Sequence, residues 1–326
     1  MTVPGDGAER SSTIVSAGEA LVDLVPVEQR PAGTSGATGG ALTPLAPRLG
    51  GGPYNVAVGL GRLEVPTAML TRLSTDAFGD ALLERLADSH VHTDLVQRGE
   101  EPTTLAVVTL DEAGHARYSF HVEGTADRLV ADPGEPPMAA LAVGTLSLLL
   151  EPGASMYTGL ARRAAAAGTF VSLDPNIRPA LVGDAAAVRD RLDAIAAVAG
   201  LVKLSDEDAA WWGREPEDLL AAGAGAVVVT RGAEGLRAFT TTGVVEVPAD
   251  TSRPVVDTIG AGDSVHAALL AHLHDHDRLG RAAVTAMTGD DWRAALEFAA
   301  RVAGWTCSRA GAEPPTRAEL AHPAEQ

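Results

Sequence analysis

The feature that most constrains the fold is an alternation of short apolar runs with alanine-rich segments in the second half of the chain. Apolar runs typical of buried strands lie near Leu146 and at 170–173, 201–204 and 226–230. The segments between these runs are long enough for helices. Strands that alternate with helices build a mainly parallel sheet whose faces the helices cover. This half of the chain therefore predicts an α/β fold.

The first half of the chain contains patterns of both kinds. In chain order they predict a strand at 13–24, a loop at 29–47, a helix at 55–63, a short strand at 68–73, an amphipathic helix at 79–89 and a β-hairpin at 103–122 with its turn at 111–114. We expect residues 1–12, which are polar and acidic, to be disordered.

Charge and composition exclude several classes of partner. The net charge of −18 disfavours nucleic acid or an anionic membrane surface as the main partner. The longest apolar run, 141–150, is shorter than the roughly 20 residues of a membrane helix, and we interpret it as a strand buried on both faces. The first residues show no signal-peptide pattern. The single cysteine, Cys307, excludes an intrachain disulfide and fits a cytoplasmic location.

A glycine turn followed by an acid stands in VVDTIGAGDSVHAALLAHLHD, residues 255–275. Gly260, Ala261 and Gly262 form the turn, and we expect a helix to begin near Asp263. The N-terminus of a helix exposes free N–H groups, and glycines let a phosphate approach them closely. The Asp263 carboxylate could then accept a proton from an attacking hydroxyl. The alternative is that Asp263 only caps the helix.

Other phosphate-binding schemes fit the chain poorly. A P-loop needs a lysine at its end, and the one lysine, Lys203, stands in the unrelated context VKLSDED. The strand lysine and HRD-type loop of protein kinases are also missing. A dinucleotide-binding oxidoreductase would need GxGxxG, and GLGRLEV at Gly59 lacks the third glycine.

Seven motifs in a fixed order resemble the ribokinase-like (PfkB) family of sugar kinases across nearly the whole chain. They are GEALVD from Gly18, GGGPYNVAVGLGRL from Gly50, LEPGAS, DPNIRP, KLSDED, VVVTRGAEGL, and DTIGAGDSVHAALL from Asp257. The opening GEALVDLVP, the proline before the asparagine of GGGPYN, and DPNIRP resemble the bacterial fructokinase branch of that family.

The resemblance implies a Rossmann-like α/β domain over 13–326, with a mainly parallel sheet flanked by helices and a small β-sheet lid. The lid segments are expected near 21–49 and 98–125. The resemblance also implies ATP with Mg²⁺, a monovalent cation such as K⁺ in many members, and dimers joined through the lids. Asp263 would be the catalytic base at the turn of Gly260, Ala261 and Gly262, and the amides of Ala261 to Asp263 would stabilise the developing charge.

The resemblance also assigns binding residues. Those expected on the sugar side are Asp23, Gly51, Gly52, Asn55, Glu151, Asn176 and Arg178. Those expected on the nucleotide side are Lys203, Ser205, Thr230, Gly232 and Gly235. Asp208 would organise Mg²⁺, and Asp257 would bind a monovalent cation.

One motif departs from the family pattern. In KLSDED, Asp208 stands at the spacing from Ser205 where the family has glutamate, so the neighbouring Glu207 is an alternative magnesium residue. Val265 and His266 also differ from the common pattern, and we expect them not to contact the chemistry.

Fructose is the leading substrate. A 2-keto-3-deoxy sugar acid is the first alternative, because the DxNxR pattern occurs there too and Arg178 could pair with its carboxylate. Ribose or a nucleoside is the next. A non-catalytic sugar-binding protein would not need the intact GAGD motif.

Overall fold

Two sheets organise the chain. The structure is a computed structural model that describes residues 12–27, 44–110 and 116–321. Its strands are β1 (Ile14–Ala17), β2 (Leu21–Pro26), β3 (Leu45–Gly50), β4 (Thr67–Ser74), β5 (Val96–Gly99), β6 (Thr104–Leu110), β7 (Ala116–His121), β8 (Ala140–Gly144), β9 (Phe170–Asp174), β10 (Leu201–Ser205), β11 (Val227–Thr230), β12 (Leu236–Thr240) and β13 (Gly243–Val247).

Ten α-helices lie between or after these strands in the described part of the chain. They are α1 (Gly52–Arg62), α2 (Ala77–Asp88), α3 (Gly153–Ala166), α4 (Ala185–Ala196), α5 (Asp206–Trp212), α6 (Pro216–Ala222), α7 (Ala261–Asp275), α8 (Arg281–Thr285), α9 (Gly289–Cys307) and α10 (Arg317–Ala321). The described residues contain no helix long and apolar enough to cross a bilayer.

The larger sheet has the strand order β13-β12-β11-β10-β9-β8-β1-β4-β5. The strands from β11 to β5 pair in parallel, and β12 and β13 continue the sheet antiparallel at one edge. Successive side chains of one strand face opposite sides: Val15 packs into a core with helices α3 and α4, and Ile14 into a core with α1, α7 and α9. The predicted α/β architecture is confirmed.

The smaller sheet has the order β3-β2-β6-β7. Strands β6 and β7 form the predicted hairpin, and β2 lies beside β6 in parallel and beside β3 antiparallel. The predicted loop at 29–47 overlaps the start of β3. The rest of that loop up to residue 43, the hairpin turn at 111–114, and residues 1–11 lie outside the described residues.

Two strand predictions were wrong in their extent. The single strand predicted at 13–24 is two strands, because the fully buried β1 joins the larger sheet and β2 joins the smaller one. The strand predicted over 141–150 ends at Gly144 and is followed by a 3₁₀ turn, Thr145–Leu148. A Cβ at Gly144 would collide with the Asp174 carbonyl, and Thr145 has a positive φ of 58°, so the chain turns out of the sheet here.

We expect Gly61→Ala to destabilise the protein. A Cβ at Gly61 would collide with the carbonyl oxygen of Ser89. Overpacking typically costs about 1–3 kcal/mol, against a gain of about 1 kcal/mol for alanine in a helix. Urea unfolding measures the balance. Gly183→Ala is the control, since a Cβ there meets nothing within 4 Å, and equal losses in both variants would contradict the packing argument.

Candidate active site

A cavity of about 340 Å³ lies where the two sheets meet. The smaller sheet contributes Asp23 from β2 and the stacked rings of Tyr118 and Phe120 from β7. The other wall is built from the loops that follow β1, β8 and β9 and from the start of α7. Open α/β sheets bind ligands at the carboxyl ends of their parallel strands, and this cavity has that position.

The glycine turn before α7 forms one wall of the cavity. Gly260 is the N-cap of the helix with a φ of 76°, and a Cβ there would lie 2.5 Å from the Cβ of Ala312, so the position requires glycine. The first bond within the helix runs from Ser264 N–H to the Gly260 carbonyl at 2.9 Å. The N–H groups of Gly262 and Asp263 therefore precede the helical hydrogen-bond ladder, whereas Ala261 N–H donates to the Thr258 carbonyl at 3.2 Å.

Asp263 is buried in the first turn of α7 and lines the cavity. Its carboxylate accepts a hydrogen bond of 2.8 Å from the side-chain amide of Asn55 in α1. The alternative in which Asp263 caps the helix is wrong, because Gly260 occupies the N-cap and has no side-chain cap bond. Burial raises the pKa of Asp263, while the Asn55 bond and the charges of Lys203 and Arg178 oppose the rise. A raised pKa suits a proton acceptor near neutral pH.

The turn that places Gly51 and Gly52 at the cavity is held by hydrogen bonds to a buried acid, Glu19. The Glu19 carboxylate accepts the Gly52 N–H at 3.2 Å, the Ser147 N–H at 3.0 Å and both hydroxyls of Thr145 and Ser147. Gly51 has a φ of 110°, and a Cβ there would lie 2.7 Å from the Glu19 carbonyl oxygen. Glu19 lines the cavity and was missed by sequence reasoning, although it stands inside the GEALVD motif.

Asp23, Asn176 and Arg178 lie around the same cavity. Burial raises the pKa of Asp23 to about 6, with the charge of Arg178 lowering it and that of Asp263 raising it. The Arg178 guanidinium donates to the side-chain oxygen of Asn176 at 2.6 Å. The sugar-side prediction thus brings together six residues at one cavity: Asp23, Gly51, Gly52, Asn55, Asn176 and Arg178.

Glu151 is not brought to the cavity. It is exposed, accepts hydrogen bonds from the backbone and hydroxyl of Ser155 and forms an ion pair with Arg191. Since β8 ends at Gly144, the chain leaves the sheet before it reaches Glu151, which precedes α3. The prediction that Glu151 binds the sugar is therefore corrected: its side chain lies outside the group of residues that line the cavity.

The residues expected on the nucleotide side follow neighbouring strands. Ser205 ends β10 and pairs in register with Thr230, which ends β11, and Gly232 and Gly235 lie in the turn after it. None of these four lines the cavity, whereas Lys203, two residues before the end of β10, does. The four residues therefore lie along the carboxyl edge of the sheet, on the strands that continue away from β9.

Asp208 is buried at the first turn of α5. One carboxylate oxygen accepts the Ile177 N–H at 2.7 Å, and the other accepts the N–H and hydroxyl of Ser205 at 3.0 and 2.8 Å. The alternative residue, Glu207, is exposed. The described residues hold no cluster of three or more metal-binding side chains. Mg²⁺ prefers oxygen ligands and usually keeps waters and substrate phosphates, and both oxygens of Asp208 already accept hydrogen bonds from the protein, so this carboxylate fits contact through water better than direct ligation.

Asp257 stabilises the loop before the glycine turn. Its two carboxylate oxygens accept the N–H groups of Ile259 at 3.0 Å and Gly311 at 2.8 Å. The loop is therefore tied to the segment that follows α9.

Comparison with known proteins identifies the family. The pfkB family of carbohydrate kinases matches residues 11–319. The chain belongs to the pfkB family. A fructokinase from Rhizobium leguminosarum bv. trifolii is 40% identical over 270 residues, which are 80% of this chain and 79% of that protein.

Solved structures of the pfkB fold superpose on the chain. A fructokinase from Xylella fastidiosa with bound ATP has a TM-score of 0.83 and 28% identity, covering 95% of this chain and 97% of that one. A double mutant of a fructokinase from Vibrio cholerae O395, bound to fructose, ADP and potassium ion, has a TM-score of 0.79 and 26% identity, covering 95% and 97%. The chain therefore has the fold of these kinases along nearly its whole length.

We expect Asp263→Asn to abolish most of the sugar kinase activity without unfolding the protein. The amide oxygen can still accept the Asn55 hydrogen bond, but the proton acceptor is lost. General-base catalysis contributes about 10²–10⁴-fold, so kcat should fall by that order while the melting temperature changes little. Steady-state kinetics and thermal melting check both parts, and retention of more than about a tenth of kcat would contradict the role.

Proposed function

We propose that this protein is an ATP-dependent fructokinase that transfers the γ-phosphoryl group to a primary hydroxyl of fructose. The observation that carries the proposal is the buried Asp263 carboxylate at the first turn of α7, in a cavity whose other wall bears Asp23 and Arg178. The 40% identity to a bacterial fructokinase supports the choice of sugar.

In the proposed reaction, Asp263 accepts the proton of the attacking hydroxyl as the oxygen–phosphorus bond forms and the bond to the leaving ADP breaks. The N–H groups of Gly262 and Asp263 face the negative charge that develops on the phosphoryl oxygens. The bond from Asn55 orients the carboxylate. Burial of Asp263 keeps its proton affinity high enough to act as a base.

ATP would lie along the carboxyl ends of β10 and β11, so that Lys203, Ser205, Thr230, Gly232 and Gly235 follow its phosphates. Mg²⁺ accompanying the nucleotide would be held through water by Asp208, and it would neutralise charge on the β- and γ-phosphates. The protein residues supply position and hydrogen bonds, and the cavity wall from the smaller sheet limits the access of water to the transferred group.

On the sugar side, Asp23 offers two carboxylate oxygens to neighbouring hydroxyl groups, and the backbone at Gly51 and Gly52 lets the sugar approach the turn. The smaller sheet serves as the lid, since β2, β6 and β7 all contribute side chains to the cavity. In this proposal the lid segments are residues 21–49 and 98–125, and the kinase domain spans residues 13–326.

A 2-keto-3-deoxy sugar acid is the second candidate substrate. The observation in its favour is Arg178, which lines the cavity and donates to Asn176, so its guanidinium could turn to a substrate carboxylate. Ribose or a nucleoside stays the third candidate.

Three further features belong to the proposal. A monovalent cation such as K⁺ would be bound by Asp257 and the backbone of Ile259, whose N–H that carboxylate already holds. A homodimer would form through the smaller sheets, whose edge strands β3 and β7 have no further strand beside them in the described residues. A cytoplasmic location fits a chain with one cysteine.

We expect fructose to give the highest kcat/KM in a panel that contains 2-keto-3-deoxygluconate, ribose and adenosine. ATP consumption, measured with each sugar in turn, checks this. A tenfold preference for the sugar acid that is lost in Arg178→Ala would overturn the fructose assignment in favour of the second candidate. A tenfold ratio of kcat/KM corresponds to about 1.4 kcal/mol, which would then come from the ion pair between Arg178 and the substrate carboxylate. The matched control is Arg163→Ala, whose guanidinium pairs with Asp132 at the surface.

We expect Asp23→Ala to raise the KM for the sugar more than it lowers kcat. Contacts to hydroxyl groups that do not react are made equally in the ground and transition states, and their loss weakens binding. Initial rates at varied sugar and fixed ATP separate the two constants. An unchanged KM for the sugar would remove Asp23 from the binding site.

A further inference from the structure

A buried ion pair lies against the first turn of α7. Lys203 is the one lysine among the 25 basic residues of the chain, and the side chains of Lys203 and Asp174 are each 4% exposed. The ammonium group donates to Asp174 Oδ2 at 2.8 Å. A Cβ at Gly262 would come within 3.0 Å of Lys203 Nζ, so the ammonium group lies beside the backbone of the glycine turn.

This is an unfavourable place for a cation unless an anion shares it. The first turn of a helix carries partial positive charge, and burial deprives the ammonium group of water. Asp174 supplies one negative charge, yet Lys203 also lines the cavity. Two positive features, the ammonium group and the N-terminus of α7, therefore border the same space. An incoming phosphoryl group has the charge that this arrangement favours.

The Asp174 carboxylate is in turn contacted from α7. His266 Nδ1 lies 3.8 Å from Asp174 Oδ2, and Nε2 lies 2.7 Å from the hydroxyl of Ser172. Burial and the charge of Lys203 lower the pKa of His266 to about 3, so the ring is neutral. The ring therefore bonds Ser172 through Nε2 and turns Nδ1 toward Asp174. His266 packs against the carboxylate that holds Lys203 but does not line the cavity that contains Asp263, so its separation from the chemistry stays a prediction.

We propose that Asp174 is a positioning residue: its carboxylate holds the Lys203 ammonium group at the first turn of α7, where that group binds the phosphoryl group in transit. The proposal rests on the kinase function proposed above. Its geometric basis is the contact of three side chains, from β9, β10 and α7, beside the cavity that contains Asp263. Asp174 Oδ1 has no hydrogen-bond partner in the described part of the chain, so the bond to Lys203 is the contact that orients this carboxylate.

The charge of Lys203 depends on the acids that surround it. Burial by itself would lower the pKa of Lys203, but Asp174, Asp263 and Asp208 together raise it above its ordinary value. Asp174 is the acid in direct contact, and the others act from a distance. Neutralising Asp174 should therefore lower the pKa of Lys203 and increase the fraction of neutral, nucleophilic amine.

The test is pulse acetylation of the protein with acetic anhydride, followed by peptide mass spectrometry. Because Lys203 is the one lysine, its acetylation reports a single site that is separate from the N-terminus. Loss of an adjacent opposite charge lowers an amine pKa by about 1–3. In Asp174→Asn, Lys203 should therefore be acetylated at least about tenfold faster than in the wild type at mildly alkaline pH. Asp132→Asn, which removes a surface acid paired with Arg163, should change nothing.

The kinetic part separates positioning from general stability. Asp174→Asn should lower kcat by about 10- to 100-fold, as expected for a misplaced group, with little change in the KM for the sugar. In a Lys203→Met background the same substitution should have no further effect on kcat, because the group it positions is gone. An additional loss in the double variant, or an unchanged acetylation rate in Asp174→Asn, would overturn the proposal.

Two features keep the test decisive. Asp174→Asn alone could fail to fold because it leaves the buried lysine unpaired. The double variant with Lys203→Met buries no charge at this pair, so comparing its kcat with that of Lys203→Met still tests the proposal. Acetylation needs neither sugar nor turnover. A failed sugar panel therefore leaves the acetylation result standing, and unchanged acetylation overturns the positioning role even in an active fructokinase.

Discussion

The parallel pairing of β1 with both β4 and β8 is the constraint on which the rest of the structure depends. It fixes the centre of the larger sheet, and every strand beyond β8 takes its register from the one before. Because parallel strands end at a common edge, the loops after β1, β8, β9 and β10 meet there. The cavity is the space above that edge, and α7 and the smaller sheet close its two sides.

At this edge of the sheet, charged side chains that would be costly to bury singly lie beside charges of the opposite sign. Lys203 faces Asp174, and the charges of Lys203 and Arg178 act on the Asp263 carboxylate. The Glu19 carboxylate accepts hydrogen bonds separately from four donors, which belong to Gly52, Thr145 and Ser147. A buried charge persists when partners and hydrogen bonds compensate its lost hydration. The site is therefore preorganised, with Glu19, Asp174 and Asp263 each held by a named donor before any substrate arrives.

The sequence predicted the α/β architecture, the hairpin and the family, because these depend on periodic patterns and on motifs that are local in the chain. It also pointed to Asp263 and Asn55, which the structure joins across 208 positions. It did not indicate the contacts of Asp174 with Lys203 and His266, because these follow from burial beside a lysine of another strand. It extended β8 too far because the mainly apolar run at 141–150 does not reveal the turn at Thr145, whose N–H donates to the carbonyl of Pro175, directly after β9.

The burial of α7 has a consequence for how such a protein can diversify. Most of this helix, from Asp263 to Leu273, is packed in the core, so a change that moves the carboxylate also disturbs folding. The smaller sheet, in contrast, contributes to the same cavity from β2, β6 and β7, and most of β2 is partly open to solvent. Substitutions there can alter which molecule is accepted at little cost to the remainder of the fold. The part of the selectivity that depends on the smaller sheet can thus change while the chemistry at α7 stays intact.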